Sequence, residues 1–140
     1  MNRPVLLVED NDDDIELTQL CFKNNHISNE MVIARDGAEA VNYLRAVPDL
    51  PMLVLLDLKL PKIGGLEVLR ILRADERTKR LPVVVLTSSI EEKDLVNSYN
   101  LGANSYIRKP VDLDQFQEAV RQLGLYWLLL NQQPVAPPGA

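Results

Sequence analysis

Leu53-Val54-Leu55-Leu56-Asp57 decides the fold, because four apolar residues in a row stop at an acid. A continuous apolar run of this length is typical of a strand buried on both faces, as in a parallel sheet. The carboxyl ends of parallel strands share one edge of the sheet, where α/β proteins place their chemistry. Similar runs lead into polar residues at three other places: 5–8 before Glu9-Asp10, 83–86 before Thr87, and 105–108 before Lys109-Pro110. We therefore expect these polar residues to meet in one site.

Strand-like and helix-like patterns alternate along the chain, which is the signature of consecutive βαβ units. The predicted strands lie near 4–9, 31–34, 52–57, 82–88 and 104–108, and the predicted helices near 13–25, 37–46, 65–77, 91–101 and 112–124. With right-handed crossovers, the predicted fold class is α/β, a five-stranded parallel doubly wound sheet of flavodoxin-like order 2-1-3-4-5 with five helices. The first and third strands are neighbours in that order, so Glu9, Asp10 and Asp57 are predicted to lie together.

The composition excludes several classes of protein. With 140 residues, 46% of them hydrophobic and 25% charged, the chain resembles an ordinary globular domain. A net charge of -5 and the absence of a basic cluster argue against nucleic-acid binding. The single cysteine cannot form an internal disulfide. No apolar stretch is long enough for a signal peptide or a membrane span. We expect a cytoplasmic protein without membrane contact.

The three acids at the predicted sheet edge require a positive partner. Carboxylates about 4 Å apart repel by roughly 4 kcal/mol per pair at an effective dielectric constant of about 20. Mg²⁺, which binds one or two protein carboxylates together with waters and phosphate oxygens, is one candidate, and the Lys109 ammonium is the other. The Asp57 carboxylate could act as a nucleophile toward a phosphoryl group. Lys109 and the Thr87 hydroxyl could then contact phosphoryl oxygens.

The motifs at these strand ends resemble those of response regulator receiver domains. The matching segments are Leu6 with 8–10, 55–61, 85–88 and 109–110, in order and with the family's spacing, and the resemblance covers residues 3–124. It implies that Asp57 accepts a phosphoryl group from a histidine of a partner kinase. It further implies a Mg²⁺ site made by Glu9, Asp10, Asp57 and the Lys59 carbonyl, a cis peptide between Lys109 and Pro110, and a switch pair of Thr87 and Tyr106.

Three consecutive acids, 12–14, stand at the start of the first predicted helix and leave two interpretations open. They could extend the metal site, or they could be solvated acids that favour the start of a helix. We prefer the second interpretation. The apolar residues of that helix, among them Ile15, Leu17 and Leu20, are predicted to lie mostly on one face.

The C-terminal part carries a second feature. We divide the chain into a receiver domain, 1–124, and an extension, 125–140, with an apolar run followed by a Pro-rich tail predicted to be disordered. The run could lengthen the last helix or fold back onto the domain. We favour a homodimer interface made by Tyr126, Trp127 and Leu128. This ending is similar to that of the small regulators paired with phytochrome kinases, so the resemblance implies such a kinase as phosphodonor.

These features predict a stand-alone response regulator rather than an enzyme. No output domain is expected after residue 124, so the signal would pass to a downstream protein by contact or by phosphoryl transfer. Two alternatives stay open. One is a scaffold on the same fold that does not depend on phosphorylation. The other is a small Mg²⁺-dependent aspartyl phosphatase, which would require a second aspartate where this chain has Lys59.

Overall fold

The computed structural model describes residues 3–88 and 102–125, which form five strands and four helices. The strands are β1 (Val5–Val8), β2 (Met31–Ala34), β3 (Leu53–Asp57), β4 (Val83–Thr87) and β5 (Ser105–Arg108). The helices are α1 (Asp12–Asn24), α2 (Gly37–Ala46), α3 (Gly65–Ala74) and α4 (Leu113–Gln122). The helix predicted over 91–101 lies outside the described residues.

The strands form one parallel sheet in the order β2-β1-β3-β4-β5, which confirms the predicted topology. Strands β1 and β3 are neighbours, and Val8 lies beside Leu56 in the register. The next residue in each strand direction is an acid, Glu9 or Asp57. In the pair formed by β4 and β5, Thr87 lies beside Arg108, the residue before Lys109. The topology therefore brings the ends of β1, β3, β4 and β5 to one edge.

Two apolar layers cover the sheet. Alternate residues of each strand face opposite layers, as the strand period of two requires. One layer packs the sheet against α1 and α4, where the rings of Phe22 and Phe116 lie 4.8 Å apart between centroids. The other packs it against α2 and α3, with Leu44 and Leu69 fully buried. The central strands are apolar on both faces because both faces are covered.

Two predicted details of the helices were wrong. Leu17 and Leu20 are exposed, whereas Ile15 and Phe22 are buried, so the α1 stripe that faces the sheet is narrower than predicted. Helix α3 ends at Ala74 rather than near 77. Asp75 is extended there, and its carboxylate accepts a 2.8 Å hydrogen bond from the Arg77 backbone N–H. Such a local bond competes with helix continuation.

In the part of the chain that the structure describes, we find no helix with the length and apolar character needed to cross a membrane.

Candidate functional site

Four strands end at the same edge and position the candidate residues. Glu9 follows β1, and its backbone N–H donates a 2.9 Å hydrogen bond to the carbonyl of Ala34. Asp57 and Thr87 are the last residues of β3 and β4. Lys109 follows β5, and its backbone N–H donates a 2.7 Å hydrogen bond to the Thr87 carbonyl. Backbone hydrogen bonds that extend the strand pairing thus fix Glu9 and Lys109 independently of their side-chain contacts.

Three carboxylates form a cluster at this edge. Glu9, Asp10 and Asp57 each offer an oxygen that lies within 4.8 Å of the others. Glu9 and Asp57 are buried, whereas Asp10 is exposed. Hard divalent cations prefer oxygen ligands of this kind. The cluster therefore has the donor set for a divalent metal, with one side open to solvent for further ligands.

The Lys109 ammonium lies among these acids. Its Nζ atom is 3.1 Å from Glu9 Oε1, 3.4 Å from Asp57 Oδ2 and 3.0 Å from Asp14 Oδ2. Burial alone would lower the pKa of Lys109, but the hydrogen bond to Asp14 and the charges of Asp57 and Glu9 raise it above its ordinary value. Lys109 is therefore cationic at neutral pH, and it offsets part of the repulsion within the carboxylate cluster.

The buried acids hold their protons more tightly than free carboxyls do. Burial, followed by the negative charge of Asp57, raises the pKa of Glu9 to about 7, although Lys109 opposes the shift. Burial also raises the pKa of Asp57, against the charge of Lys109 and the backbone N–H of Lys59. One shared cation is therefore not enough to restore the ordinary acidity of either group. A divalent ion would favour ionisation of both.

The other predicted residues lie around this cluster. Thr87 is buried at the end of β4, and Tyr106 is half-buried in β5 beside Val85. The Lys59 backbone N–H is 3.4 Å from Asp57 Oδ1, and the Lys59 side chain is exposed. The peptide bond between Lys109 and Pro110 is cis. The predicted interface residues Tyr126, Trp127 and Leu128 lie outside the described residues.

Asp14 is a site residue that the sequence interpretation missed. It belongs to the first turn of α1, which was interpreted as a group of solvated acids, yet its carboxylate contacts Lys109. Spacing gave no signal for it, because Asp10 precedes the N-cap Asn11 and lies outside the helix that carries Asp14. Asp12 instead pairs with Arg35, and that ion pair is exposed.

The order of the elements, the acids at the ends of β1 and β3 and the lysine after β5 occur together in one known family. A model of the response regulator receiver domain matches residues 5–121. This chain belongs to the response regulator receiver family.

Curated relatives match the receiver over almost its whole length. The probable methanogenesis regulatory protein FilR2 of Methanothrix harundinacea is 39% identical over 134 residues, which cover 93% of this chain and 86% of that protein. Response regulator Rcp1 of Synechocystis sp. is 39% identical over 137 residues, which cover 94% of this chain and 93% of that protein. The family assignment therefore rests on the whole domain and not on isolated motifs.

Solved structures of phytochrome response regulators have the same fold. The bacteriophytochrome response regulator AtBRR is 49% identical with a TM-score of 0.85, and the match covers 94% of this chain and 99% of AtBRR. The phosphorylated cyanobacterial phytochrome response regulator RcpA is 44% identical with a TM-score of 0.75, covering 91% and 95%. A Mn²⁺-bound form of Rcp1 is 37% identical with a TM-score of 0.72, covering 96% and 99%. This receiver thus has homologues among phytochrome response regulators.

Proposed function

We propose that this receiver accepts a phosphoryl group on Asp57 from a histidine of a partner kinase and passes the signal on through protein contacts. The observation that carries the proposal is the placement of the Asp57 carboxylate, with the Lys109 ammonium 3.4 Å away and Glu9 and Asp10 beside it. A nucleophile, a fixed cation and a donor set for a divalent metal are what in-line phosphoryl transfer requires.

In the proposed reaction an Asp57 oxygen attacks the phosphorus of the phosphohistidine. The oxygen–phosphorus bond forms while the phosphorus–nitrogen bond to the donor breaks, and the nitrogen pair returns to the imidazole of the kinase. Lys109 offers a positive charge to a phosphoryl oxygen as negative charge builds up beside Asp57. Asp57 must be ionised to attack. Because burial raises its pKa, a nearby cation that favours the ionised carboxylate is required before the donor binds.

Glu9, Asp10 and Asp57 are the side chains that would hold a metal ion, with the Lys59 carbonyl as a further proposed ligand. We propose Mg²⁺, because it is a hard ion that retains waters and accepts phosphate oxygens beside a few carboxylates. When bound, it supplies charge neutralisation for the acids and for the phosphoryl oxygens. The Mn²⁺-bound form of the homologue Rcp1 supports a divalent-ion site at this edge.

Thr87 and Tyr106 form the proposed switch. The Thr87 hydroxyl moves toward the new phosphoryl group and donates a hydrogen bond to it. Tyr106, two residues along the neighbouring strand in the register, then turns inward and changes the face around β5. A charge-assisted hydrogen bond and the Lys109 contact together are worth a few kcal/mol, enough to make a minor conformer the major one.

Phosphorylation of Asp57 is tested with acetyl phosphate and Mg²⁺, followed by intact mass measurement. We expect wild-type protein to gain one phosphoryl group. Asp57→Asn should gain none, because an amide is not a nucleophile toward phosphorus. The matched control is Asp49→Asn, an exposed acid elsewhere in the chain, which should be phosphorylated as the wild type is.

Labelling that persists in Asp57→Asn would assign the acceptor to another residue. Absence of labelling in the wild type, with acetyl phosphate and with a kinase alike, would favour the scaffold alternative. Release of phosphate from unrelated monoesters would favour a phosphatase.

We also propose the identity of the partners. The likeness to AtBRR, RcpA and Rcp1 supports a phytochrome histidine kinase as the phosphodonor. The apolar run at 126–130 supports a homodimer, because a self-complementary patch on two copies is the commonest route to a dimer. Because such a kinase would take its phosphate from ATP, we propose that the receiver acts in the cytoplasm.

A further inference from the structure

Asp14 and Asp57 share one cation. The Lys109 Nζ atom is 3.0 Å from Asp14 Oδ2 and 3.4 Å from Asp57 Oδ2, so the ammonium lies nearer to Asp14 than to the proposed acceptor. Glu9 takes the third contact at 3.1 Å. A lysine has three N–H donors. Two of them donate hydrogen bonds to Glu9 and Asp14, whereas the contact with Asp57 is an ion pair, so the ammonium is hydrogen-bonded to the other two acids and not to the proposed acceptor.

The fold holds Asp14 firmly in this position. Its backbone N–H donates a 2.9 Å hydrogen bond to the side chain of Asn11, the N-cap of α1. Its carbonyl accepts a 2.8 Å hydrogen bond from the hydroxyl of buried Thr18. The Asp14 side chain is 28% exposed, against 81% for Asp12. Asp14 is therefore a partly buried partner of Lys109 with a fixed backbone, unlike the exposed Asp12 of the same turn.

Asp14 also differs from Glu9 in its relation to the metal ligands. Glu9 belongs to the cluster with Asp10 and Asp57, so its carboxylate would interact with a bound metal ion as well as with Lys109. Asp14 is outside that cluster, so its carboxylate would remain paired with Lys109 when a metal ion is bound. It is the acid that continues to compete with a phosphoryl group for the ammonium.

We infer that Asp14 is a positioning residue that holds the Lys109 ammonium partly away from Asp57 and thereby limits both the phosphorylation of Asp57 and the lifetime of the product. This inference rests on the proposed function of Asp57. Removal of the Asp14 charge releases one N–H of Lys109 for the phosphoryl group. It also removes a negative charge that repels that group. Both effects favour the phosphorylated state, and Glu9 still anchors the ammonium at 3.1 Å.

The experiment compares Asp14→Asn with the wild type in acetyl phosphate and Mg²⁺, read by intact mass over time. Because the lost ion pair is partly exposed, we expect an increase of about threefold in phosphorylation rate below saturation and in the half-life after the donor is removed. Asp13→Asn is the matched control, since it removes the same charge from an exposed position in the same helical turn. It should behave as the wild type does.

Two further variants separate positioning from a general structural effect. Asp14→Glu keeps the charge and should return both rates toward the wild-type values. In a Lys109→Ala background, followed over longer times, Asp14→Asn should give a much smaller gain, because only the direct repulsion by the Asp14 charge is then removed.

Equal rates for Asp14→Asn and the wild type would overturn the inference while leaving Asp57 as the acceptor. So would an equal gain in Asp13→Asn, or a gain that is undiminished without Lys109. A wild-type protein that is never labelled on Asp57 would overturn the proposed function, and the inference with it.

Discussion

Glu9 is an acid that is only 1% exposed, and its environment makes its protonation part of the stability of the protein. Burial and the nearby Asp57 charge raise its pKa from 4.5 to about 7. Between these pH values the folded protein keeps a proton that the unfolded chain has released. The resulting stabilisation is complete below about pH 4.5 and is lost as the pH rises through about 7.

Replacement of Glu9 by Gln removes this pH dependence, because an amide does not ionise in this range. Without divalent metal, the free energy of unfolding of the wild type should fall relative to Glu9→Gln by up to about 3 kcal/mol between pH 4.5 and 8. Urea unfolding at several pH values in EDTA measures this difference. Glu16→Gln, at an exposed position of α1, is the control.

Excess Mg²⁺ should oppose the loss in the wild type at pH 8, since an ion bound only by the folded state stabilises it. Parallel pH profiles for the wild type and Glu9→Gln would contradict the raised pKa of Glu9.

At the residue scale, the proximity of Glu9, Asp57 and Lys109 could be predicted because each follows an apolar run in a parallel strand. The contact of Asp14 with Lys109 could not. Three consecutive acids look alike in a sequence, and the side on which each lies depends on where the first turn of α1 begins. That starting point is set by the Asn11 cap, whose side chain accepts a hydrogen bond from the Asp14 backbone N–H.

At the element scale, the approach of α3 to β3 fixes the loop after the acceptor. The Gly65 backbone N–H donates a 3.0 Å hydrogen bond to the Leu58 carbonyl. A Cβ atom at Gly65 would collide with the Asp57 carbonyl oxygen and would lie 2.7 Å from Leu58 Cα. The first turn of α3 therefore sits directly on the backbone of the proposed phosphoacceptor, and only glycine leaves enough room.

Gly65→Ala should destabilise the protein by about 2 kcal/mol or more, because the colliding atoms belong to the backbone and cannot turn aside. It should also slow phosphorylation of Asp57 by displacing its carbonyl. Gly64→Ala is the control, since a Cβ atom there would meet nothing within 4 Å and its φ of -69° suits any residue. Urea unfolding and the acetyl phosphate assay measure both effects; equal stability of the two variants would refute this close approach.

The strand pattern predicted the sheet well because β1, β3 and β4 are buried on both faces and therefore almost wholly apolar. The helices were less predictable. Leu17 and Leu20 are apolar but exposed, so composition alone assigned too wide a buried face to α1. At the end of α3, the Asp75 side chain accepts a hydrogen bond from the Arg77 backbone, and the spacing of apolar residues gives no sign of such a bond.

At the scale of the whole molecule, the apolar run 126–130 carries the proposal of a homodimer. Trp127→Ala should shift the protein toward the monomer, because large aromatic side chains contribute much of the binding energy at interfaces. Sedimentation over a range of concentrations measures the change. Tyr43→Ala, a half-buried aromatic of α2, is the control and should leave the association unchanged. A wild type that sediments as a monomer at every concentration would end the homodimer proposal.

The Lys109 ammonium contacts Glu9 across a separation of 100 residues along the chain and Asp14 across 95. The cation comes from the segment after the last strand, while its first acids come from the segment after the first strand. A chain still emerging from the ribosome would therefore carry Asp57 without its lysine until synthesis had passed β5. The lysine contact that we propose for phosphoryl transfer is thus completed only after the last strand has been made.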